Sequence, residues 1–217
     1  SRCHTHHFSR PIPMPISAQH IRSAQTQLKK SDPQMREIIR RVGPFTLRPK
    51  SDHFQMLANS IISQQISVAA AQTISVRLLE RLGKPGITAA AITKLNLEQL
   101  REVGISRQKG TYLLDLAQHV DTGDLDLKRL ARKSDDEIIE QLTVVKGIGV
   151  WTAQMFLIFS LGRLDVLPIG DYGIRKAIQK EYELKELPSP KEIELLAQPW
   201  RPYATIASWY LWQSLDA

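Results

Sequence analysis

Apolar residues recur at every third or fourth position along most of the chain, which is the spacing of one face of an α-helix. In the stretch SDHFQMLANSIISQ, for example, Phe54, Leu57, Ile61 and Ile62 share such a face. No two neighbouring stretches alternate apolar and polar residues as paired strands would, and the most β-like run, LDVLP, closes at Pro168. The pattern therefore predicts an all-α fold.

Residues that start and stop helices divide this pattern into separate elements. Asp32 followed by Pro33 is a typical helix start, Gly43 marks the end of that helix, and Ser134 with Glu137 forms a capping box. The same reasoning predicts helices from Ser67 to Gly83, from Asn96 to Gly104, from Ser106 onward, from Gly149 to about Gly162, and after Asp171, Pro190 and Pro202.

The amino-acid composition indicates which kind of binding partner and which cellular compartment to expect. The 217 residues carry a net charge of +7, which favours an anionic partner such as nucleic acid but also fits an ordinary basic enzyme. The one cysteine, Cys3, excludes an intramolecular disulfide, a cysteine-rich zinc site and a cysteine-ligated iron–sulfur cluster, and it fits a reducing, intracellular location. No apolar run approaches the length of a membrane span.

The first 16 residues, SRCHTHHFSRPIPMPI, lack helical periodicity and the apolar core of a signal peptide. His4, His6 and His7 could bind a metal, but we interpret residues 1–16 as a flexible N-terminal tail. The 217 residues of the chain are enough for one sizeable domain or two interlocked lobes.

The stretch VVKGIGVWTA combines two glycines with a preceding lysine, between two apolar segments. Gly147 and Gly149 would allow a tight reversal, and the helix that follows would begin with backbone N–H groups that have no partner within the helix. Such a helix start can bind a phosphate without reading sequence, and Lys146 adds a positive charge beside it. A plain turn that lets two helices pack closely is the alternative.

A lone aspartate, Asp171, opens the next predicted helix in PIGDYGIRKA. An N-cap role accounts for this position on its own. A carboxylate at a helix start is also held in its charged form by the helix dipole, and a fixed anion suits a reaction that passes through a cationic sugar. The structural and the catalytic interpretations of Asp171 are therefore compatible.

The hairpin, a spacer of some twenty residues and LPIGDYGIRKA together resemble the signature of the helix-hairpin-helix (HhH-GPD) DNA glycosylase superfamily. Within it, the chain is most similar to the alkylpurine branch, the 3-methyladenine DNA glycosylase II class. The stretch SIISQQISVAAA resembles that family's minor-groove segment, and PWRPYATIASWYLW resembles its C-terminal helix. The resemblance extends from about Ile61 to the end of the chain.

The resemblance implies base excision repair: a damaged nucleotide is flipped out of duplex DNA and its N-glycosidic bond is hydrolysed. Asp171 falls on the family's catalytic aspartate. Trp151 stands where bifunctional relatives carry a Schiff-base lysine, so a monofunctional glycosylase without lyase activity is expected. The expected substrates are alkylated purines of the 3-methyladenine and 7-methylguanine class.

Aromatic positions of the family's base pocket correspond to Trp151, Tyr172 and Trp209, which could attract a cationic base. The two tryptophans could equally be core residues. Met155 stands where some relatives carry a further aromatic, which leaves the shape of the pocket open.

The resemblance also implies residues that contact DNA. Gln65, with Gln64 beside it, aligns with the wedge that fills the gap left by the flipped nucleotide, although relatives with an apolar wedge carry leucine. Arg107 and Lys109 in GISRQKG correspond to phosphate contacts. The alternative for Gln64 and Gln65 is a polar helix end without a role in binding, and the alternative for Arg107 and Lys109 is a solvated basic turn.

No cofactor is expected, although relatives often bind Na⁺ or K⁺ through hairpin carbonyls. By position these would be the carbonyls of Thr143, Val145 and Ile148. The absence of four cysteines argues against the iron–sulfur branch.

By resemblance, the fold has two helical lobes with the active-site cleft between them. One lobe would combine residues 17–50 with 164–217, and the other would be residues 51–163 with the hairpin at 143–151. The expected partner is double-stranded DNA with damaged bases, bound by a monomer in the cytoplasm or nucleoid and without a membrane. A glycosylase acting on hypoxanthine, uracil or mismatched pyrimidines, or a noncatalytic DNA-binding module, remains an alternative.

Overall fold

The computed structural model describes residues 16–217, so the predicted tail, with its three histidines, lies outside the described residues except for Ile16. Within this range the chain forms helices and no strands, which confirms the all-α prediction. The helices are α1 (Ala18–Ser31), α2 (Pro33–Val42), α3 (His53–Ser63), α4 (Val68–Leu82), α5 (Ala89–Ile92), α6 (Leu97–Glu102), α7 (Arg107–Asp121), α8 (Leu127–Leu130), α9 (Asp135–Thr143), α10 (Val150–Phe159), α11 (Tyr172–Glu181), α12 (Pro190–Leu196) and α13 (Ala204–Ser214), with a 3₁₀ turn at Gln198–Trp200.

The helix boundaries follow the capping chemistry of the sequence. Asp32 accepts a hydrogen bond from the N–H of Met35 at the start of α2, and the capping box of Ser134 and Glu137 forms as expected. Gly43 ends α2 with a φ of 86°, a value that favours glycine. Sequence reasoning did not delimit α5 and α8, because helices of four residues are too short to display a period of 3.6.

Two helices, α10 and α13, are apolar on nearly all sides and are the most deeply buried elements. α13 is buried without interruption from Ala204 to Leu211, and packs on α2 and α11. α10 packs on α3 and α9. A helix that is apolar all round belongs in a protein interior, so these two central helices provide rigid supports for side chains at their ends. The proposed division into two lobes remains a prediction.

Among residues 16–217, no helix combines the length and the apolar character needed to cross a membrane.

Asp32 joins three separate segments of the chain. Its Oδ2 accepts hydrogen bonds from the hydroxyl of Tyr182 (2.6 Å) and the indole N–H of Trp200 (2.8 Å), while Oδ1 accepts from Met35 at the start of α2. Burial, reinforced by the bond to Asp32, raises the pKa of Tyr182 far above its usual range, so the tyrosine remains a donor. This carboxylate therefore fastens the N-terminal helices to the C-terminal part of the chain.

We expect Asp32→Ala to destabilise the protein by about 2–3 kcal/mol, because it leaves two donors without their acceptor and removes a helix cap. This corresponds to a fall in Tm of about 4–12 °C in thermal unfolding. Asp52→Ala is the matched control, since Asp52 caps α3 by accepting from Gln55 at an exposed site and should cost only about 1 kcal/mol. Equal changes in Tm for the two variants would contradict the fastening role.

Candidate active site

Asp171 lies at the N-cap of α11, as the sequence predicted, and its carboxylate has three hydrogen-bond donors. Oδ1 accepts from the N–H of Ile174 (2.8 Å) and from the indole Nε1 of Trp212 (2.9 Å), and Oδ2 accepts from Nε1 of Trp151 (2.7 Å). The residue is only 9% exposed. Hydrogen bonds to an ionised carboxylate are stronger than neutral ones, so the three donors fix the anion in one orientation.

The loop that carries Asp171 is held against α13. The N–H of Val166 donates to Oγ1 of Thr205, and the N–H of Thr205 donates to the carbonyl of Leu164, both at 3.0 Å. The N–H of Asp171 itself closes a turn by donating to the carbonyl of Pro168 (2.9 Å). These bonds fix the loop between α10 and α11, and with it the position of the carboxylate.

Two aromatic side chains beside Asp171 are open to solvent. Trp151, in the first turn of α10, is 48% exposed even though its indole N–H is bonded to Asp171. Tyr172, the first residue of α11, is 62% exposed. Large exposed aromatic faces next to a buried anion form a surface onto which a flat, electron-poor ligand can stack.

The tryptophan of α13 that contacts Asp171 is Trp212, whereas the sequence analysis named Trp209 as the base-pocket tryptophan of this helix. Trp209 is 7% exposed and packs edge-on against Phe45 (4.6 Å between ring centroids) and Tyr210 (4.9 Å). It is therefore a core residue, which was the alternative interpretation of this tryptophan. Trp212, one helical turn later, stacks on Phe159 (5.7 Å) while donating to Asp171. The sequence identified the helix, but its spacing does not distinguish between two tryptophans three residues apart.

A glycine allows Trp212 to approach Asp171. A Cβ atom on Gly173 would lie 3.1 Å from both Asp171 Oδ1 and Trp212 Cδ1, which is tighter than side chains normally pack. Gly173, Trp212 and Phe159 are site residues that sequence reasoning missed, although Phe159 follows Trp151 and Met155 at helical spacing along α10. Met155 itself is buried.

The two hairpin glycines have different structural roles. Gly147 has a φ of 81°, and a Cβ atom there would overlap the ring of Tyr112 on α7, so both the backbone and the packing demand glycine. Gly149 has an ordinary extended backbone (φ −97°, ψ 177°) and only open space where a Cβ would be. The expectation that both glycines provide backbone freedom is therefore correct for Gly147 and wrong for Gly149.

The start of α10 is open to an external acceptor. Gly149 is its N-cap and offers no side-chain oxygen to the N–H groups of the first turn, which have no acceptor inside the helix. Lys146 is 66% exposed, but its backbone N–H donates to Oδ2 of Asp115 (2.9 Å) and its Nζ lies 3.5 Å from Oδ1. The positive charge of Lys146 is thus partly offset by Asp115.

The predicted wedge and phosphate residues lie at the end of α3 and the start of α7. Gln65 is exposed and has a φ of 57°, uncommon for a residue other than glycine. Gln64 donates from Nε2 to the carbonyl of Gly147 (2.8 Å). Lys109 donates from Nζ to the carbonyl of Ile62 (2.8 Å), and burial lowers its pKa, whereas Arg107 is exposed at the start of α7.

The carbonyls predicted to hold a monovalent cation lie where α9 ends and the hairpin begins. α9 ends at Thr143, and the carbonyl of Val145 accepts from the N–H of Ile148 (3.1 Å) with a second lone pair still available. Oxygen donors of this kind suit hard cations. Side chains of His, Cys, Asp and Glu do not form a metal-binding group of three or more anywhere in residues 16–217.

Comparison with known proteins identifies related chains of similar length. A family model described as the HhH-GPD superfamily base excision DNA repair protein matches residues 58–202. The alkylbase DNA glycosidase-like protein of Schizosaccharomyces pombe is 31% identical over 88% of this chain and 92% of its own length.

Two solved structures share both sequence and fold. The DNA-3-methyladenine glycosidase of Bacillus halodurans superimposes with a TM-score of 0.79 at 35% identity, covering 88% of each chain. The 3-methyladenine DNA glycosylase of S. pombe, solved in complex with abasic DNA, gives a TM-score of 0.80 at 31% identity, over 90% of this chain and 97% of that one.

Proposed function

The chain belongs to the HhH-GPD superfamily of base excision DNA repair proteins, and on this premise we propose that it is a DNA glycosylase that removes alkylated purines from duplex DNA. The observation that carries the proposal is the buried carboxylate of Asp171, oriented by two indole N–H groups and a helix start, next to exposed aromatic faces. A protein that only grips phosphates needs neither this anion nor those aromatics. The names of the relatives support the same substrate class.

The proposed reaction breaks the bond between the deoxyribose C1′ and the base nitrogen. The base departs with the bonding electron pair, and the sugar becomes an oxocarbenium-like cation, to which water adds with loss of a proton. Asp171 stabilises that cation and orients the water; fixed electrostatic stabilisation of this kind contributes about 3–4 kcal/mol. An alkylated purine already carries positive charge, so it leaves without a strong general acid.

The base must be extruded from the stack to reach Asp171. We assign the exposed faces of Trp151 and Tyr172, together with Trp212 in place of Trp209, to the surface that holds the extruded base. A cationic base over an aromatic face gains about 0.5–2 kcal/mol, which favours an alkylated purine over a neutral base.

On the DNA side, we assign the open start of α10 to a phosphate, with the partly offset Lys146 in the hairpin before it. We also assign Arg107, exposed at the start of α7, to the DNA backbone. Gln65 is the proposed wedge, because it is exposed and held in a left-handed backbone conformation, a strain that is often found at functional sites. The cleft would lie between the lobes formed by residues 17–50 with 164–217 and by residues 51–163.

We assign the carbonyls of Thr143, Val145 and Ile148 to a Na⁺ or K⁺ ion, which would supply positive charge beside the phosphate. The mechanism needs no other cofactor.

We propose that the enzyme is monofunctional, because Trp151 occupies the place of the lysine amine in bifunctional relatives. An indole cannot form an imine with the sugar. In this proposal Trp151 contributes its N–H to Asp171 and its ring face to the base, and the product is an intact abasic site.

The test is base release from duplexes containing 3-methyladenine, 7-methylguanine, hypoxanthine or uracil, without added lyase. We expect release of the two alkylated purines, strand breaks only after alkali, and no covalent adduct after borohydride treatment. Release of only uracil or only hypoxanthine would indicate a glycosylase of another specificity. If no base is released, the noncatalytic alternative is favoured. A borohydride-trapped complex would contradict the monofunctional proposal.

A further inference from the structure

Gln64 bridges the two loops that the proposed function assigns to DNA. It follows the last residue of α3 and precedes Gln65, so it belongs to the turn that carries the proposed wedge. Its Nε2 donates to the carbonyl of Gly147, 83 residues later in the chain, at 2.8 Å. The side chain of Gln64 is thus directed at the hairpin, and one of the two N–H groups of its amide is used within the protein.

Helix α7 contacts both the turn that carries Gln65 and the hairpin. Lys109 donates to the carbonyl of Ile62 at the end of α3, the ring of Tyr112 packs under Gly147, and Asp115 accepts from the backbone N–H of Lys146. Lys109, Tyr112 and Asp115 are spaced three residues apart and so follow one side of the helix. The wedge turn and the hairpin therefore rest on the same rigid element.

We propose that Gln64 is a positioning residue that locks the wedge turn to the hairpin, so that phosphate binding at the hairpin and insertion of Gln65 occur as a single event. Lys109 on α7 adds a second restraint through its hydrogen bond to the carbonyl of Ile62. This assigns to Gln64 and Lys109 a role inside the protein instead of the DNA contacts expected from the sequence. The inference rests on the proposed function, since a wedge requires a flipped nucleotide.

The backbone conformation of Gln65 supports this role. A residue other than glycine stays in the left-handed region only when its surroundings hold it there. The turn has few other restraints: the N–H of Gln64 donates to Ile61 and the N–H of Ile66 donates to Ser63, each at a long 3.4 Å. The shorter bonds made by Gln64 and Lys109 are therefore the main polar restraints on the turn.

The hydrogen bond also connects the two DNA contacts physically. The carbonyl of Gly147 that accepts from Gln64 is one residue before Ile148 and two before the N-cap of α10, where we place the phosphate. A hairpin that is fixed by DNA fixes the acceptor of Gln64 and, through it, the backbone of Gln65. Without the bond, the hairpin could still hold a phosphate while the wedge turn moves independently.

The test replaces Gln64 by Met, which keeps the unbranched length and cannot donate, and by Asn, which keeps the amide but is too short. Wedge insertion is followed by the fluorescence of 2-aminopurine placed next to a tetrahydrofuran abasic analogue, and excision by single-turnover release of 7-methylguanine. We expect both variants to lose at least half of the fluorescence change and about tenfold in the excision rate. Affinity for undamaged duplex should stay within about twofold, because the phosphate contacts are intact.

Gln118→Met is the matched control, because it makes the same change at an exposed position of α7 and should alter neither readout. The double variant Gln64→Met/Gln65→Ala should excise no more slowly than Gln65→Ala, since both changes remove one function. A wild-type fluorescence change in either Gln64 variant would overturn the proposal. So would a proportional loss of affinity for undamaged DNA, which would indicate a direct contact. Failure of the wild-type protein to excise any base would instead refute the proposed function.

Discussion

Asp171→Asn should lower the single-turnover rate of 7-methylguanine release by a factor of about 10²–10³, the loss expected when one fixed electrostatic contact to the transition state is removed. The asparagine oxygen can still accept from Ile174 at the helix start and from the indole of Trp212, which share Oδ1 in the wild type, whereas Trp151 loses its acceptor. The fold should therefore survive, with duplex affinity within about threefold of wild type. Rapid-quench measurement of base release, with enzyme in excess over DNA, isolates the chemical step.

Asp126→Asn is the matched control for this change. Asp126 is the exposed N-cap of α8 and accepts from the N–H groups of Lys128 and Arg129. The same substitution there changes a similar helix cap, but one that is not bonded to the aromatic residues. Its excision rate should equal that of wild type. Near wild-type excision by a folded Asp171→Asn protein would remove the carboxylate from the mechanism.

The helices and the position of Asp171 could be predicted from the sequence because both depend on local chemistry. Asp32 with Pro33, and Ser134 with Glu137, set helix starts within a few residues, and the structure confirms them. Asp171 was recognised in the same way, as an N-cap that opens α11. Interactions between residues three or four apart are visible in a sequence pattern.

Contacts between distant segments explain what the sequence did not reveal. The bond from Trp212 to Asp171 spans 41 residues, and the bond from Gln64 to Gly147 spans 83. Contacts over such distances produce no periodic pattern in the sequence. A resemblance to a family indicates which positions correspond, but not where their side chains point. The sequence therefore suggested Gln64 as a DNA contact without indicating its bond to the hairpin, and it suggested Trp209 for the base pocket without indicating Trp212.

The charge of the hairpin is a further consequence of a distant contact. Lys146 was expected to add a positive charge beside the helix start, but Asp115 on α7 accepts from its backbone N–H and lies close to its ammonium group. The phosphate at the hairpin would accordingly be held mainly by the backbone N–H groups at the start of α10, which carry no sequence information and cannot be removed by changing a side chain. The two glycines are the positions at which this backbone can be altered.

Gly147→Ala should have the second large effect, on stability as well as on activity. A left-handed alanine costs about 1–2 kcal/mol, and the overlap with Tyr112 adds about 1–3 kcal/mol, so we expect a fall in Tm of about 4–20 °C. The hairpin must also shift to relieve the overlap, and a displacement of about 1 Å at a positioning element can cost a hundredfold in rate. Thermal unfolding and 7-methylguanine release measure the two effects.

Gly149→Ala separates DNA binding from stability, because its backbone is ordinary and its Cβ would enter open space. We expect a Tm within about 2 °C of wild type. If a phosphate approaches the start of α10 closely, the added methyl group blocks it, and affinity for undamaged duplex should fall about tenfold, which equals 1.4 kcal/mol. Fluorescence anisotropy with a labelled duplex measures this affinity. Wild-type affinity in the alanine variant would mean that the phosphate binds elsewhere, whereas weaker binding at unchanged Tm would assign the start of α10 to the DNA backbone.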